Sequence, residues 1–172
     1  MSRAVAMNPG SLRTGRSGLA LTAALAVACW SCSAPAPLDE TEILSLADRE
    51  FESRNFPVAV DRYRELLNQH PFSDQAETAR FRIAHAYYLN KEYDAAIAAF
   101  NDFERLHPTS PKLPFVEYTV GMCHLDQALM ADRDQSSSEK ALRQFERLRR
   151  RYPNSVYGRL AAFRIEECRE KL

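Results

Sequence analysis

Glycine is scarce in this chain, with 5 among 172 residues, which argues against a Gly-rich loop cradling phosphate. Neither sign of charge is in excess, with 23 basic and 23 acidic residues. Three of the arginines, Arg3, Arg13 and Arg16, precede residue 29, so the remainder carries 20 basic and 23 acidic residues, a net of −3. That is no electrostatic footprint for nucleic acid, which favours a basic face. The apolar run at residues 18–28 has 11 residues, well short of the roughly 20 that span a bilayer. The four histidines, His70, His85, His107 and His124, form no H-E-x-x-H or other metal-ligand spacing. No Ser/His/Asp arrangement or carboxylate pair can be argued. Nothing in these absences supports catalysis or a resident cofactor, and neither is expected.

What is present begins with a targeting pattern. Residues 1–16 carry the three arginines and no acid. The 11-residue apolar run follows and ends in small residues, the order expected of a secretory signal peptide over 1–28. Residues 25–29 read LAVAC and resemble the bacterial lipobox. The resemblance implies cleavage before Cys29, S-diacylglycerol on its thiol and an N-acyl group on its amine. Together these chains give a stable anchor that one chain does not. Trp30 in place of Asp after that cysteine implies, by the same resemblance, forwarding to the outer membrane with the protein on the periplasmic face. Residues 29–38 then form a lipidated tether. A plain signal peptide with an incidental cysteine is the alternative. Cys32 competes poorly, because Cys29 and Trp30 fit the upstream positions badly. Cys29 and Cys32 also match C-x-x-C, but a redox site of that kind belongs beside a βαβ pattern, and no strand is expected nearby.

The rest of the chain repeats. Ala59, Ala96 and Ala141 are each followed four residues later by an aromatic (Tyr63, Phe100, Phe145). Seven residues on comes an apolar residue (Leu66, Phe103, Leu148), and twelve on a proline (Pro71, Pro108, Pro153). Ala47 and Ala84 stand twelve before the first two alanines, and Gly121 takes the small position of the third unit, twenty before Ala141. The steps of 37 and 45 residues leave eight extra in the third unit, expected in a polar loop at 132–138. These offsets are those of the tetratricopeptide (TPR) repeat. The fold class is all-α: a TPR-type right-handed α-solenoid of antiparallel helix pairs, about three repeats plus one terminal helix, over 39–172. The units span about 40–71, 74–108 and 112–153, with a half unit at 155–172. Helices are expected at 40–54, 57–69, 74–90, 93–106, 112–130, 138–151 and 155–171. Small residues let backbones approach, and each proline stops the helix before it. Ser73 and Ser155 offer oxygens to cap the following helix. The last helix either caps the stack with its polar face or is the first half of a further pair.

In a TPR stack the first helix of each pair lines the concave side. The positions expected to point into it are Leu44, Asp48 and Phe51 in unit 1, and Phe81, His85 and Tyr88 in unit 2. Unit 3 contributes Phe115, Tyr118, Met122 and Leu125. Most are apolar or aromatic, which suits a peptide with aromatic anchors. Packing between repeats is the other use for such side chains. Cys123 and Cys168 are expected as small core residues. The five arginines within 143–151 suit a solvated helix face, or else a contact with anionic headgroups or an acidic partner.

Local wording adds to the pattern. The stretches HPFSDQA (70–76), AYYLNK (86–91), AAFNDFERLHPTSP (98–111) and RYPNSVY (151–157) resemble the outer-membrane assembly lipoprotein family BamD, also called YfiO or ComL. The resemblance covers about 39–172. It implies a part in inserting β-barrel proteins into the outer membrane, with BamA-like assembly machinery and unfolded outer membrane proteins as partners. The family's N-terminal repeats are thought to receive barrel segments ending in an aromatic residue, and its later repeats to dock on BamA. The matching surface here includes Phe81, Tyr88, Tyr118 and Met122. Another cell-envelope TPR adaptor, such as a Tol-Pal coordinator or a pilotin-like lipoprotein, is the alternative.

Overall fold

The computed structural model describes residues 39–130, 135–170 and 172. Cys29, the targeting segment and the tether lie outside them. Seven helices follow in order: α1 Glu40–Glu52, α2 Phe56–Gln69, α3 Ala76–Leu89, α4 Tyr93–Leu106, α5 Leu113–Met130, α6 Gln135–Arg151 and α7 Val156–Glu170. Each packs on the next in the chain, and α7 also reaches α5. The result is an all-α, TPR-like solenoid of helix pairs α1–α2, α3–α4 and α5–α6, with α7 beyond them.

The repeat offsets mark the core. Ala47, Ala59, Ala84, Ala96 and Ala141 are all 0% exposed, as are the aromatics Tyr63, Phe100 and Phe145 and the apolar residues Leu66, Phe103 and Leu148. Burying one such large side chain contributes roughly 1.5–3 kcal/mol. Three core clusters result, each closed by three successive helices: one between α1, α2 and α3, one between α3, α4 and α5, one between α5, α6 and α7. Gly121 shows why the third unit needs glycine. A Cβ there would stand 2.6 Å from the ring of the fully buried Phe145. Cys123 and Cys168 are buried in different clusters.

Each of the repeat prolines Pro71, Pro108 and Pro153 lies just past a helix end. His70 and His107 close α2 and α4, their N–H groups donating to Leu66 and Phe103. Ser73, Ser110 and Ser155 turn the chain into the next helix, accepting from the N–H of Gln75 (2.8 Å), Lys112 (3.2 Å) and Gly158 (2.8 Å). Two of these serines also join repeats. Ser73 donates to Glu40, and Ser110 donates to Glu77 at 2.8 Å while Lys112 reaches the same oxygen at 2.8 Å. The Lys112 ammonium and the Ser110 hydroxyl hold the Glu77 carboxyl below its usual range.

Much of the extra length of the third unit is helical. Helix α5 has 18 residues against 14 in α3, and α6 has 17 against 14 in α4. Of the polar stretch expected as a loop at 132–138, residues 135–138 form the first turn of α6, and 132–134 lie outside the described residues. Ser137 and Ser138 are buried there, so tertiary packing overrides the weak helix preference of serine.

Candidate functional site: the aromatic ladder on the first helices

The first helix of each pair exposes one stripe to the same side. On α3 this stripe is Phe81, His85 and Tyr88, spaced as one helical face. Its rings meet those of the neighbouring first helices. Phe51 of α1 lies 5.6 Å from the His85 ring, centroid to centroid. Phe81 and His85 each lie 5.3 Å from Phe115 of α5. Phe115 stands 5.4 Å from Tyr157 of α7, which lies 5.6 Å from Tyr118. A continuous ladder therefore runs α1–α3–α5–α7, mostly in edge-to-face or tilted contact, the geometry aromatic quadrupoles prefer. Its rungs are half-buried, with one side resting on core rings. Phe81 lies 5.8 Å from Phe103, and Tyr118 5.6 Å from Phe145.

Cations flank the ladder. The Arg82 guanidinium sits 4.8 Å from the centre of the Phe51 ring, and the Lys112 ammonium 5.8 Å from that of Phe81. Arg164 of α7 donates to the Tyr118 hydroxyl at 3.2 Å and pairs with Glu167 at 2.6 Å. At the Phe51 end a cavity of about 320 Å³ opens, lined by Phe51, Glu52, Arg54, Phe56, Arg82 and Leu89. Aromatic walls beside two guanidinium groups can seat an aromatic side chain and a carboxylate together. Within the ladder His85 is the polar member. Its Nδ1 is buried with no hydrogen-bond partner among the described residues. Burial, with a smaller push from Arg82, holds its imidazole below the ordinary value.

Of the expected groove residues, Phe51, Phe81, His85, Phe115 and Tyr118 join the ladder. Tyr88 lies on the same face and tilts against Tyr93 of α4, 6.2 Å away. Burial pushes its hydroxyl up to about 12. Leu44 and Met122 are half-buried against the first and third clusters. Asp48 accepts a hydrogen bond from the fully buried Tyr63 hydroxyl at 2.5 Å, so it serves the α1–α2 contact. Leu125 is corrected: at 1% exposure it is a core residue of the third cluster, because the lengthened α5 carries its last turns under α6. Tyr157 was missed, since counting from the small residue Ala161 reaches no aromatic. Counting ten residues from each repeat proline gives Phe81 and Tyr118 but then Phe163, which stands 76% exposed on α7, so that count does not find Tyr157 either.

The arginines of 143–151 are largely spoken for. Arg147 pairs with Glu104 (2.5 Å) and Glu117 (3.4 Å), and Arg151 pairs with the same two carboxylates. Glu117 is 0% exposed. Neither reading of the arginine run anticipated this clamp between α4, α5 and α6. Among the described residues no His/Cys/Asp/Glu group is placed to hold a metal ion, and no helix is long and apolar enough to cross a membrane.

Comparison with known proteins fits this architecture. Residues 37–172 match the family model YfiO, described as an outer membrane lipoprotein. The outer membrane protein assembly factor BamD of Caulobacter vibrioides is 31% identical over 126 residues, covering 73% of this chain and 41% of that protein. That of Neisseria meningitidis serogroup B is 30% identical over 165 residues, covering 84% and 62%. That of Vibrio cholerae serotype O1 is 29% identical over 142 residues, covering 77% and 59%. The chain thus spans between two fifths and just under two thirds of the length of these relatives. With a solenoid of the expected frame and a family match across all of it, the chain belongs to the YfiO (BamD) family of outer membrane lipoproteins.

Proposed function

We propose that this chain is a partner-binding component of outer membrane protein assembly, which holds unfolded barrel segments on its aromatic ladder and works beside a BamA-like protein. It acts by binding, without catalysis. In this reading residues 1–28 are the signal peptide, Cys29 is lipidated, 29–38 is the tether, and the repeats at 39–172 face the periplasm from the outer membrane. The observation that carries the reading is the ring-to-ring path from Phe51 to Tyr157, with Arg82 and Arg54 beside the cavity at its Phe51 end. A barrel segment ending in an aromatic residue with a free carboxylate presents the two groups which that cavity is built to meet. Extended chains otherwise bring little order of their own, so buried aromatic anchors would supply most of the affinity.

The test is a pull-down of the mature lipoprotein with two baits, a BamA periplasmic fragment and a synthetic peptide ending in Phe. Retention on at least one, lost to competing free peptide or fragment, is expected; retention on neither overturns the proposal. Mass spectrometry of the mature N-terminus checks the anchor separately, with diacylglycerol on Cys29 as the expected result.

A further inference from the structure

The face opposite the ladder carries a groove of its own. On α3 the residues 80, 83 and 87 lie a little over a third of a turn around from 81, 85 and 88. Ile83 and Tyr87 floor a cavity of about 410 Å³ between α2 and α4. Its α4 wall is Ala95, Ala98 and Ala99 at one end and Asp102, Phe103, Arg105 and Leu106 at the other, so along the alanine stretch nothing longer than a methyl group projects. The separation of packed helices is set by the side chains between them, and this wall lets another helix come close. Arg64, Arg80 and Arg105 stand around the cavity. Arg105 is paired with Asp102 at 2.9 Å. Arg64 donates to the Tyr87 hydroxyl at 2.6 Å, and neither Arg64 nor Arg80 makes an ion pair among the described residues. Past Tyr87 the groove continues into a second hollow of about 170 Å³, where Asp61 and Glu92 outnumber Arg64, which stands between the two hollows. The net charge therefore reverses along one groove, positive toward Leu106, where Arg64, Arg80 and Arg105 face Asp102, and negative toward Glu92.

From this polarity we infer that the convex groove receives an amphipathic helix of a partner protein, acidic in its N-terminal half and basic in its C-terminal half, lying antiparallel to α4. A helix with that charge order also offsets its own macrodipole, so it is the order in which an isolated segment is most stable. The apolar stripe of such a helix would cover Ile83 and the alanines. Its first-turn carboxylates would meet Arg80 and Arg105, and its last-turn cations Asp61 and Glu92. The inference concerns a face that the ladder does not use, and it stands or falls independently of peptide binding there.

Two labelled helical peptides of identical composition and identical apolar stripe test it, one with acids first and bases last, the other with the two charge blocks exchanged. Fluorescence anisotropy against the full chain is expected to show the acid-first peptide binding about tenfold or more tightly. The double variant Arg64→Glu, Arg80→Glu is expected to abolish or invert the preference. Ala98→Gln, which fills the groove at an exposed position, is expected to weaken acid-first binding about tenfold. Phe51→Ala is expected to leave it unchanged. Equal affinity for both peptides overturns the inference, as does charge reversal or Ala98→Gln in a folded variant without effect. Binding to vesicles of anionic phospholipid that depends on Arg64 and Arg80, with neither peptide bound, overturns it in favour of a membrane contact.

Discussion

Arg54 and Lys91 hold left-handed backbones, with φ of 62° and 63°, at equivalent places 37 residues apart. Each follows the first helix of a pair, and the next N–H closes the turn, Asn55 onto Glu50 and Glu92 onto Tyr87. Helices commonly end this way with glycine at that position. In a glycine-poor chain it is filled by long cationic residues, at a steric cost of roughly 1–2 kcal/mol that glycine avoids while losing part of the gain to backbone entropy. Lys91→Gly should therefore raise stability by about 0.5–1 kcal/mol in urea unfolding, and an unchanged or lowered midpoint would contradict the account of this turn. His85 gives a second residue-scale expectation. Its folded-state pKa is depressed, so as pH falls below the unfolded value of about 6.5 the unfolded chain takes up the proton first, and stability is lost with it. Between about pH 7.5 and 5.5 the parent protein should lose more stability than His85→Phe, which keeps a ring and removes the titration. Parallel pH profiles would show that the histidine does not titrate as its burial implies. The composition gave the scarcity of glycine, but the αL turns it leaves to Arg54 and Lys91 carry no sequence signature, because any residue type can be forced there when the flanking helices fix the geometry.

Among the elements, α4, α5 and α6 are tied by the clamp of Glu104, Glu117, Arg147 and Arg151. Burial pushes the Glu117 carboxyl above its ordinary value, while Arg147 and Arg151 pull against it. Removing both cations leaves a buried acid without compensation, a change that costs about 3–5 kcal/mol. Arg147→Ala with Arg151→Ala should lower stability by that order. Adding Glu117→Gln should restore part of the loss, and equilibrium unfolding of the set forms the cycle that isolates the coupling. A triple variant as unstable as the double would argue that Glu117 is neutral in the parent. The seven helices themselves were legible, with ends within about three residues, because alanine, aromatic and proline offsets report a repeated packing rule. The clamp was not. An arginine run on an amphipathic helix looks alike whether its outer side meets water or the carboxylates of another pair, and only the stacking of α6 on α5 decides. The same stacking turned the polar stretch at 135–138 from loop into helix and drew Leu125 into the core.

Across the repeats, each core cluster belongs to three successive helices, so the solenoid grows by local contacts; the ladder crosses all of the repeats, and the groove lies over α2, α3 and α4. The concave face was legible as a set of A-helix positions, since the TPR frame fixes which residues share a side. That their rings form one path was not, because the path depends on Tyr157, outside the small-residue frame, and on the tilt of Phe115 toward both α3 and α7. In the proposed function that path is the binding surface. The most direct measurement is an anisotropy titration of a labelled barrel C-terminal peptide, ending in Phe with a free carboxylate, against the full chain, Phe51→Ala and Arg82→Ala. Binding weakened about tenfold or more in both variants, with helicity retained and with the C-terminal amide of the peptide also binding poorly, is the predicted result. Full affinity in both folded variants would contradict it.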